Sequence, residues 1–463
     1  MKIRMMLLMM GWLSGCVMIR PTDPYPCNDG GGVIPVKTGP DRSHSMIVQG
    51  PLTLAQAIET ALSNNPEVAA RRWEQRAAQA GYDQAWGAWL PKINATGSYY
   101  RHLDPQRILP VGVPGEPTIL SRTLVSGDVV LTLPLFTGGR LINQMKAADL
   151  IRQAAEQRLA RSREELVFNV TSLFNTILAQ EHVIHSLEFS RETLQEHLNR
   201  INALIAVQKA ANVDRLRMEV RLADIEQRWV REKNIQSIHH RALANFLGMT
   251  GHDDTVSLQG MLTIDSVEGL PKLDSAFEAA WKNRGDFRAA RLALEVQAKS
   301  IDIARSGHLP VLSMVGAYGG RWAGEPTIGS GDKHGDLGRI GLMVEMPIFS
   351  GGTINAQIRE QKARLAAAQE RLRSLELLIR LEVETALLSV ESAVKRAAAI
   401  QKSMAQARES LRIEQEKYNL SKGAIVDVLD SQAALLETET TYYRVLADYH
   451  TARAQLRLAM GEE

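Results

Sequence analysis

The chain has 463 residues, with 54 Lys plus Arg against 52 Asp plus Glu, 45% hydrophobic residues and two cysteines. Near-neutral charge excludes a nucleic-acid surface, which needs a concentrated excess of Lys and Arg, and two cysteines exclude a disulfide scaffold and any four-cysteine metal site. The longest uninterrupted apolar run, Met5–Leu13, is nine residues where a spanning helix needs about 20, so any membrane crossing must be made by strands.

The N-terminus reads as an address. Lys2 and Arg4 precede the apolar run, and Leu13-Ser14-Gly15-Cys16 supplies a small-residue cleavage point. Residues 1–15 are therefore expected to be a secretory signal. Leu-Ser-Gly-Cys resembles the lipobox of bacterial lipoproteins, which implies that Cys16 is lipidated and, with Val17 rather than Asp after it, held in outer-membrane lipid. An ordinary signal with an incidental Cys is the alternative. Residues 16–51, rich in Pro, Gly and Asp and including Gly30-Gly31-Gly32, read as a tether.

The remainder repeats once, as units 52–260 and 261–463. Ala57, Ala61, Asn64, Leu90-Pro91, Gly97 and Tyr99 match Ala276, Ala280, Asn283, Leu309-Pro310, Gly316 and Tyr318 at an offset of 219. Beyond a loop of unequal length the offset is 213: Pro134-Leu-Phe-Thr-Gly-Gly139 meets Pro347-Ile-Phe-Ser-Gly-Gly352, and Val213-Asp214, Leu243 and Gly248 meet Val426-Asp427, Leu456 and Gly461.

Each unit reads as short helices broken by Asn-Pro or its match, a strand, a loop, a strand and a very long helical hairpin. The strands are expected over 92–101, 126–133, 311–321 and 338–346, where one face is apolar and the other mixed polar. Lengths near 10 residues suit barrel strands, and soluble sandwich strands alternate in the same way. The hairpins are expected over 141–247 and 353–460, with first helices 141–207 and 353–419 that contain no proline. At 1.5 Å per residue each is about 100 Å long, more than a globular core covers. Leu365, Leu372 and Ile379 step by seven; after a four-residue step to Val383 the sevens resume through Val390, Ala397, Met404, Leu411 and Tyr418. Such heptads require partner helices. A second apolar flank, Ala386, Ala393, Ile400 and Ala407, suits a ring in which each helix touches two neighbours, whereas a simple coiled-coil hairpin needs one seam.

No phosphate loop, zinc-helix motif or nucleophile elbow is present, so the chain is read as no enzyme and without a cofactor. Glu181, His182 and His185, and separately His239-His240, have helical spacing that a metal could use, but no convincing third ligand lies nearby and solvated helix faces are expected. Asp253-Asp254 reads as loop. The sharper signal is the second hairpin turn, Tyr418-Asn-Leu-Ser-Lys-Gly-Ala-Ile-Val-Asp427-Val-Leu-Asp430. Gly423 permits the reversal, and a carboxylate at 427 suits the start of the return helix.

The ordered set Ala-Leu-x-x-Asn-Pro, Leu-Pro, Pro-Leu-Phe-Thr-Gly-Gly and Tyr418…Val426-Asp427-Val428-Leu429-Asp430…Met460-Gly461 resembles the TolC family of outer-membrane efflux channels over residues 52–463. The resemblance implies a mixed α and β membrane protein. In a homotrimer, each protomer would give four strands to one twelve-stranded β-barrel and four long helix segments to a twelve-helix periplasmic tunnel. Barrel closure argues the same way, since four strands cannot close a barrel and open edges cannot lie in lipid. The implied partners are a periplasmic adaptor (membrane fusion) protein and an inner-membrane efflux transporter, and the implied function is a passive exit duct for small molecules. A lipid-anchored scaffold without a pore, or a duct for type I protein secretion, are the alternatives.

Carried onto this sequence, the resemblance makes Asp427 and Asp430 the pore constriction. It makes Ala211, Asn212, Asp214, Tyr418, Ser421, Lys422 and Gly423 the adaptor-contacting tip. Two departures are visible: Arg217 stands where the first repeat would match Asp430, and Ser421 stands where many family members have Gly. Loops 102–125 and 322–337, both containing Gly-Glu-Pro-Thr, would face outward, with Tyr99, Tyr318 and Trp322 near the strand ends, where aromatics anchor barrels or simply pack.

Overall fold

The computed structural model describes residues 50–107, 120–208, 211–249, 257–264, 270–324, 326–328, 334–420 and 422–462. The signal, the tether with Cys16, Asp253-Asp254 and Ser421 lie outside the described residues.

Local chemistry sets each element. Thr53 accepts from the Gln56 backbone N–H while the Gln56 side chain accepts from Thr53 N–H, a capping box that opens α1 (Leu54–Asn64). Asn65 then caps α2 (Pro66–Gly87), accepting from Glu67 N–H at 2.9 Å and Val68 N–H at 3.2 Å, with Pro66 at the first helical position. After Pro91 come β1 (Lys92–Arg107) and β2 (Leu120–Phe136). Gly138 and Gly139, at φ 61° and 81°, turn the chain into α3 (Arg140–Ala206), which returns as α4 (Asn212–Phe246). The same order follows again: α5 (Leu273–Asn283), α6 (Gly285–Arg305), β3 (Val311–Ala323), a short β4 (Pro326–Ile328), β5 (His334–Glu345), α7 (Thr353–Asn419) and α8 (Ile425–Met460). Helices α3 and α7 each have 67 residues.

The strands form one antiparallel sheet in the order β1-β2-β3-β5, with β4 beside β2. They run further than the alternation reveals. Pairs Gln106–Ser121 and Arg107–Leu120 carry β1 and β2 into the span expected as loop 102–125, and β3 to β5 occupy part of 322–337. Backbone pairing continues where neither face needs an apolar pattern. In register, Ile93, Ala95, Val129, Leu131, Leu133, Met314, Ile340, Leu342 and Val344 share one face, and Asn94, Thr96, Ser98, Ser126, Asp128, Arg321 and Arg339 share the other. Ile340 on the apolar face is 79% exposed, so among the described residues nothing covers that face there. On the polar face Ser98 and Ser126 share a 2.6 Å hydrogen bond, and Arg321 donates to Asp128 at 2.8 Å. Strands β1 and β5 each have one open edge among the described residues.

Three apolar clusters hold the helices. One joins α1 and the start of α2 to α3 and α4 through Ala57, Val68, Phe174 and Leu243. Another joins α5 and the start of α6 to α7 and α8 through Ala280, Phe287, Ile379 and Leu456. A third, toward the hairpin turns, ties α3 and α4 to α8 through Leu194, Ile201, Met218, Val428 and Leu436.

Each half locks its own helices at a matching joint. Asn65 donates to the Phe246 carbonyl at 3.1 Å, and Arg284, its counterpart, donates to the Ala459 carbonyl at 3.3 Å. Beside these bonds Gly248 and Gly461 take φ 73° and 71°, and a Cβ would lie 2.7 Å from Asn64 O and 2.7 Å from Arg284 N respectively. Gly461→Ala should therefore cost the left-handed penalty of about 1–2 kcal/mol plus the displacement of the α5–α6 corner. The thermal midpoint followed by circular dichroism should drop, and an unchanged midpoint would contradict this packing.

Candidate functional site

The hairpin tips present the charged residues singled out in the sequence. Both return helices open on an alanine, Ala211 for α4 and Ala424 for α8, with no side-chain cap, and each carries an aspartate in its first turn, Asp214 or Asp427. A carboxylate there faces the positive end of the helix. The two aspartates differ in company. Asp214 lies 3.8 Å from Arg217 in its own turn, whereas among the described residues no hydrogen bond or ion pair reaches the exposed Asp427 carboxylate. Asp430, one turn on and 73% exposed, has Arg221 of α4 at 3.8 Å.

In the second turn the Lys422 N–H donates to the Lys417 carbonyl at 2.9 Å. A Cβ on Gly423 would come 3.1 Å from that of Lys417. Tyr418 packs against the tip cluster, and Ala211, Asn212 and Lys422 are exposed. Arg221 escaped the sequence reading because it has no counterpart in the second repeat: the matching position is Ala434. The seven-residue spacing of Arg221 and Arg228 was the available signal.

The sheet carries aromatics at both ends of its apolar face. Tyr99, Tyr318 and Trp322 share that face, where Trp322 covers Gly127 and Gly320, and Tyr318 donates to Asp336 at 3.1 Å. At the opposite end Phe136 of β2 is half-exposed on the same face, and Trp86 of α2 and Phe349 after β5 are exposed in the adjoining segments, Phe349 by 89%. From Val125, paired with Trp322, to Phe136 is about 36 Å along the strand at ~3.3 Å per residue. Tilted by about 40°, this spans about 28 Å, close to the ~25 Å apolar band of an outer-membrane barrel wall.

The histidines separate. His182 and His185 are exposed on α3, and His182 stacks on Tyr443 with centroids 4.4 Å apart. His240 is buried, which corrects the expected solvated face, because it turns toward the helix partners of α4. Among the described residues no group of three or more His, Cys, Asp or Glu could hold a metal. Burial, then neighbouring His239, pushes the His240 imidazole below its ordinary value, and its Nδ1 makes no hydrogen bond among the described residues. The unfolded imidazole titrates near 6.5, so this contribution to stability is complete above that pH and is lost as pH falls below it. The thermal midpoint should fall between pH 7.5 and 5.5, less steeply in His240→Leu; parallel curves would refute the assignment.

The model of the family described as outer membrane efflux protein matches residues 57–249 and 276–462. Outer membrane protein TolC of Vibrio cholerae is 22% identical over 414 residues, covering 88% of this chain and 90% of that protein. Proteases secretion protein PrtF of Dickeya chrysanthemi is 24% identical over 327 residues, covering 69% and 68%. The solved outer-membrane channel OprN superposes with a TM-score of 0.75 at 19% identity, covering 89% of this chain and 90% of that one.

Proposed function

The chain belongs to the outer membrane efflux protein family, and from that premise we propose that three copies form a passive outer-membrane exit duct, fed by an inner-membrane transporter through a periplasmic adaptor. The observation that carries this is the sheet: an apolar outer face between two aromatic bands, with two unpaired edges. Lipid leaves no partner for free backbone N–H and C=O groups, so β5 of one copy must pair with β1 of the next. Four strands from each of three copies give a barrel of ordinary size. The polar face with Asp128, Arg321 and Arg339 then lines the lumen, and the helices continue it into the periplasm for about 100 Å.

In that assembly Asp427 and Asp430 recur three times around one axis at the narrow end. A ring of carboxylates admits cations and slows anions, and Asp427 is free of a partner within its own chain among the described residues. The exposed tip, Ala211, Asn212, Asp214, Tyr418, Lys422 and Gly423 with Ser421, is the surface offered to the adaptor. Cys16 is the site of lipidation and fixes the N-terminus to the same membrane. The likeness to PrtF supports protein secretion as a second cargo for the same duct.

The protein extracted in detergent tests the assembly. Light scattering should give three chains per particle, with strand as well as helix in the circular dichroism. An elongated monomer soluble without detergent would overturn the proposal in favour of a scaffold.

A further inference from the structure

The acids and bases of the hairpin tips come from different repeats. Asp430 of α8 matches Arg217 of α4, and Arg221 of α4 matches Ala434 of α8, so α4 brings guanidinium groups to the level at which α8 brings carboxylates. Packing decides which of them meet. Met218 and Ile225, three residues before and four after Arg221, are 1% and 4% exposed in the tip cluster with Val428 and Leu429. Residues at these spacings share one helix face, so Arg221 leaves α4 on the side buried in that cluster. Its guanidinium lies 3.8 Å from the Asp430 carboxylate, and the two side chains keep 33% and 73% exposure. Among the described residues no other cation pairs with Asp430, and none pairs with Asp427. The neighbouring guanidinium groups are turned elsewhere: Arg217 lies 3.8 Å from Asp214, and Arg228 lies 3.2 Å from Asp224.

At 3.8 Å the contact exceeds hydrogen-bond length, and an exposed pair of this kind adds little stability. Its field still reaches a passing ion, because the separation is well inside the screening length of about 8–10 Å at ordinary ionic strength. A cation ~4 Å from the carboxylate and ~7 Å from the guanidinium keeps less than half of the attraction of the bare carboxylate. We propose that Arg221 is the counter-charge of the tip constriction and a determinant of its ion selectivity. Standing beside Asp430, it holds the cation preference of the duct below the level that Asp427 and Asp430 alone would set. This rests on the proposed duct, with those two aspartates at its narrow end. Each copy brings to that ring two carboxylates and this one adjacent guanidinium, a net of one negative charge, and removing the guanidinium doubles it. A doubled ring would also hold multivalent cations longer, so the guanidinium keeps the entrance from being plugged. Arg221 needs no contact with the ion, since it acts through Asp430.

Reversal potentials of the full-length protein in planar lipid bilayers, read across a potassium chloride gradient, test this. Arg221→Gln should raise the cation-to-anion permeability ratio at least about twofold and tighten block by the trivalent cation hexamminecobalt. Arg221→Lys, which keeps the charge, should stay near wild type. Arg221→Gln combined with Asp430→Asn removes both members of the pair and should bring the ratio back to the wild-type value. A purely architectural role for Arg221 would not be undone by that second substitution. An Arg221→Gln channel of wild-type selectivity, beside an Asp427→Asn, Asp430→Asn channel that has lost it, overturns the counter-charge and leaves the constriction in place. Unchanged selectivity in both removes the constriction, and the counter-charge with it.

Discussion

Replacing Asp427 and Asp430 together by asparagine is expected to cut the cation preference of the channel several-fold and to relieve block by multivalent cations, with the helices still folded. The expectation follows from the unequal company of the tip carboxylates. Asp427 has no partner among the described residues, and the Arg221–Asp430 contact at 3.8 Å with Asp430 73% exposed is a surface pair worth little, so both remain available to a passing ion. Asp214, only 27% exposed where Asp430 is 73%, is the internal control: Asp214→Asn should leave selectivity nearly unchanged. Reversal potentials across a salt gradient read both variants. Equal selectivity in wild type and the double variant would remove Asp427 and Asp430 from the conducting path.

The largest loss of stability is expected at Arg284. Its side chain is 1% exposed and binds Asp286 at 2.7 Å, Glu382 at 2.6 Å and the Ala459 carbonyl at 3.3 Å, tying the corner before α6 to α7 and to the end of α8. Arg161 on α3 extends the network, donating to the Leu458 carbonyl at 2.8 Å and pairing with Glu164 at 3.1 Å. Removing one partner of a buried ionic group costs about 3–5 kcal/mol. Asp286 and Glu382 keep 28% and 36% exposure, which reduces the expectation for Arg284→Met to about 2–3 kcal/mol. Arg284→Asn should lose less, because asparagine can remake the carbonyl bond that Asn65 makes in the first repeat. Thermal midpoints order the variants, and Arg284→Met matching wild type would show the network to be ornamental.

The acid response of this joint differs from that of His240. Burial pushes the Asp286 carboxyl up, but the Arg284 hydrogen bond and charge, with Arg161, outweigh it and hold the group below its ordinary value. A carboxyl depressed by folding contributes stability that is present above its unfolded value near 3.9. That contribution is lost only as pH falls through the lower folded value. The Asp286 contribution should thus be flat between pH 5 and 8, where the imidazole slope appears.

Much of the fold was legible because it is written in long-range pattern. A long proline-free stretch announced α3, proline-free heptads announced α7, and alternation in Ile340, Leu342 and Val344 marked the apolar wall. What escaped depends on single side chains. The strand ends beyond Arg101 and before Ser126 carry no apolar alternation that would mark them as strand. Arg284 stands where the first repeat has Asn65, so repeat comparison broke at the position where the two joints perform one task with different chemistry. Arg221 is likewise unmatched, and only the packing of α4 beside α8 brings it to Asp430. His240 lies buried because of the face α4 turns inward, which the adjacent pair His239-His240 does not specify.

The central claim is that this chain makes a water-filled pore narrowed at an acidic tip, and conductance of the purified protein in a planar lipid bilayer tests it most directly. Discrete, cation-selective steps of small conductance, enlarged in the Asp427→Asn, Asp430→Asn double variant, are the predicted result. A protein that inserts as a trimer yet conducts in neither form would contradict it.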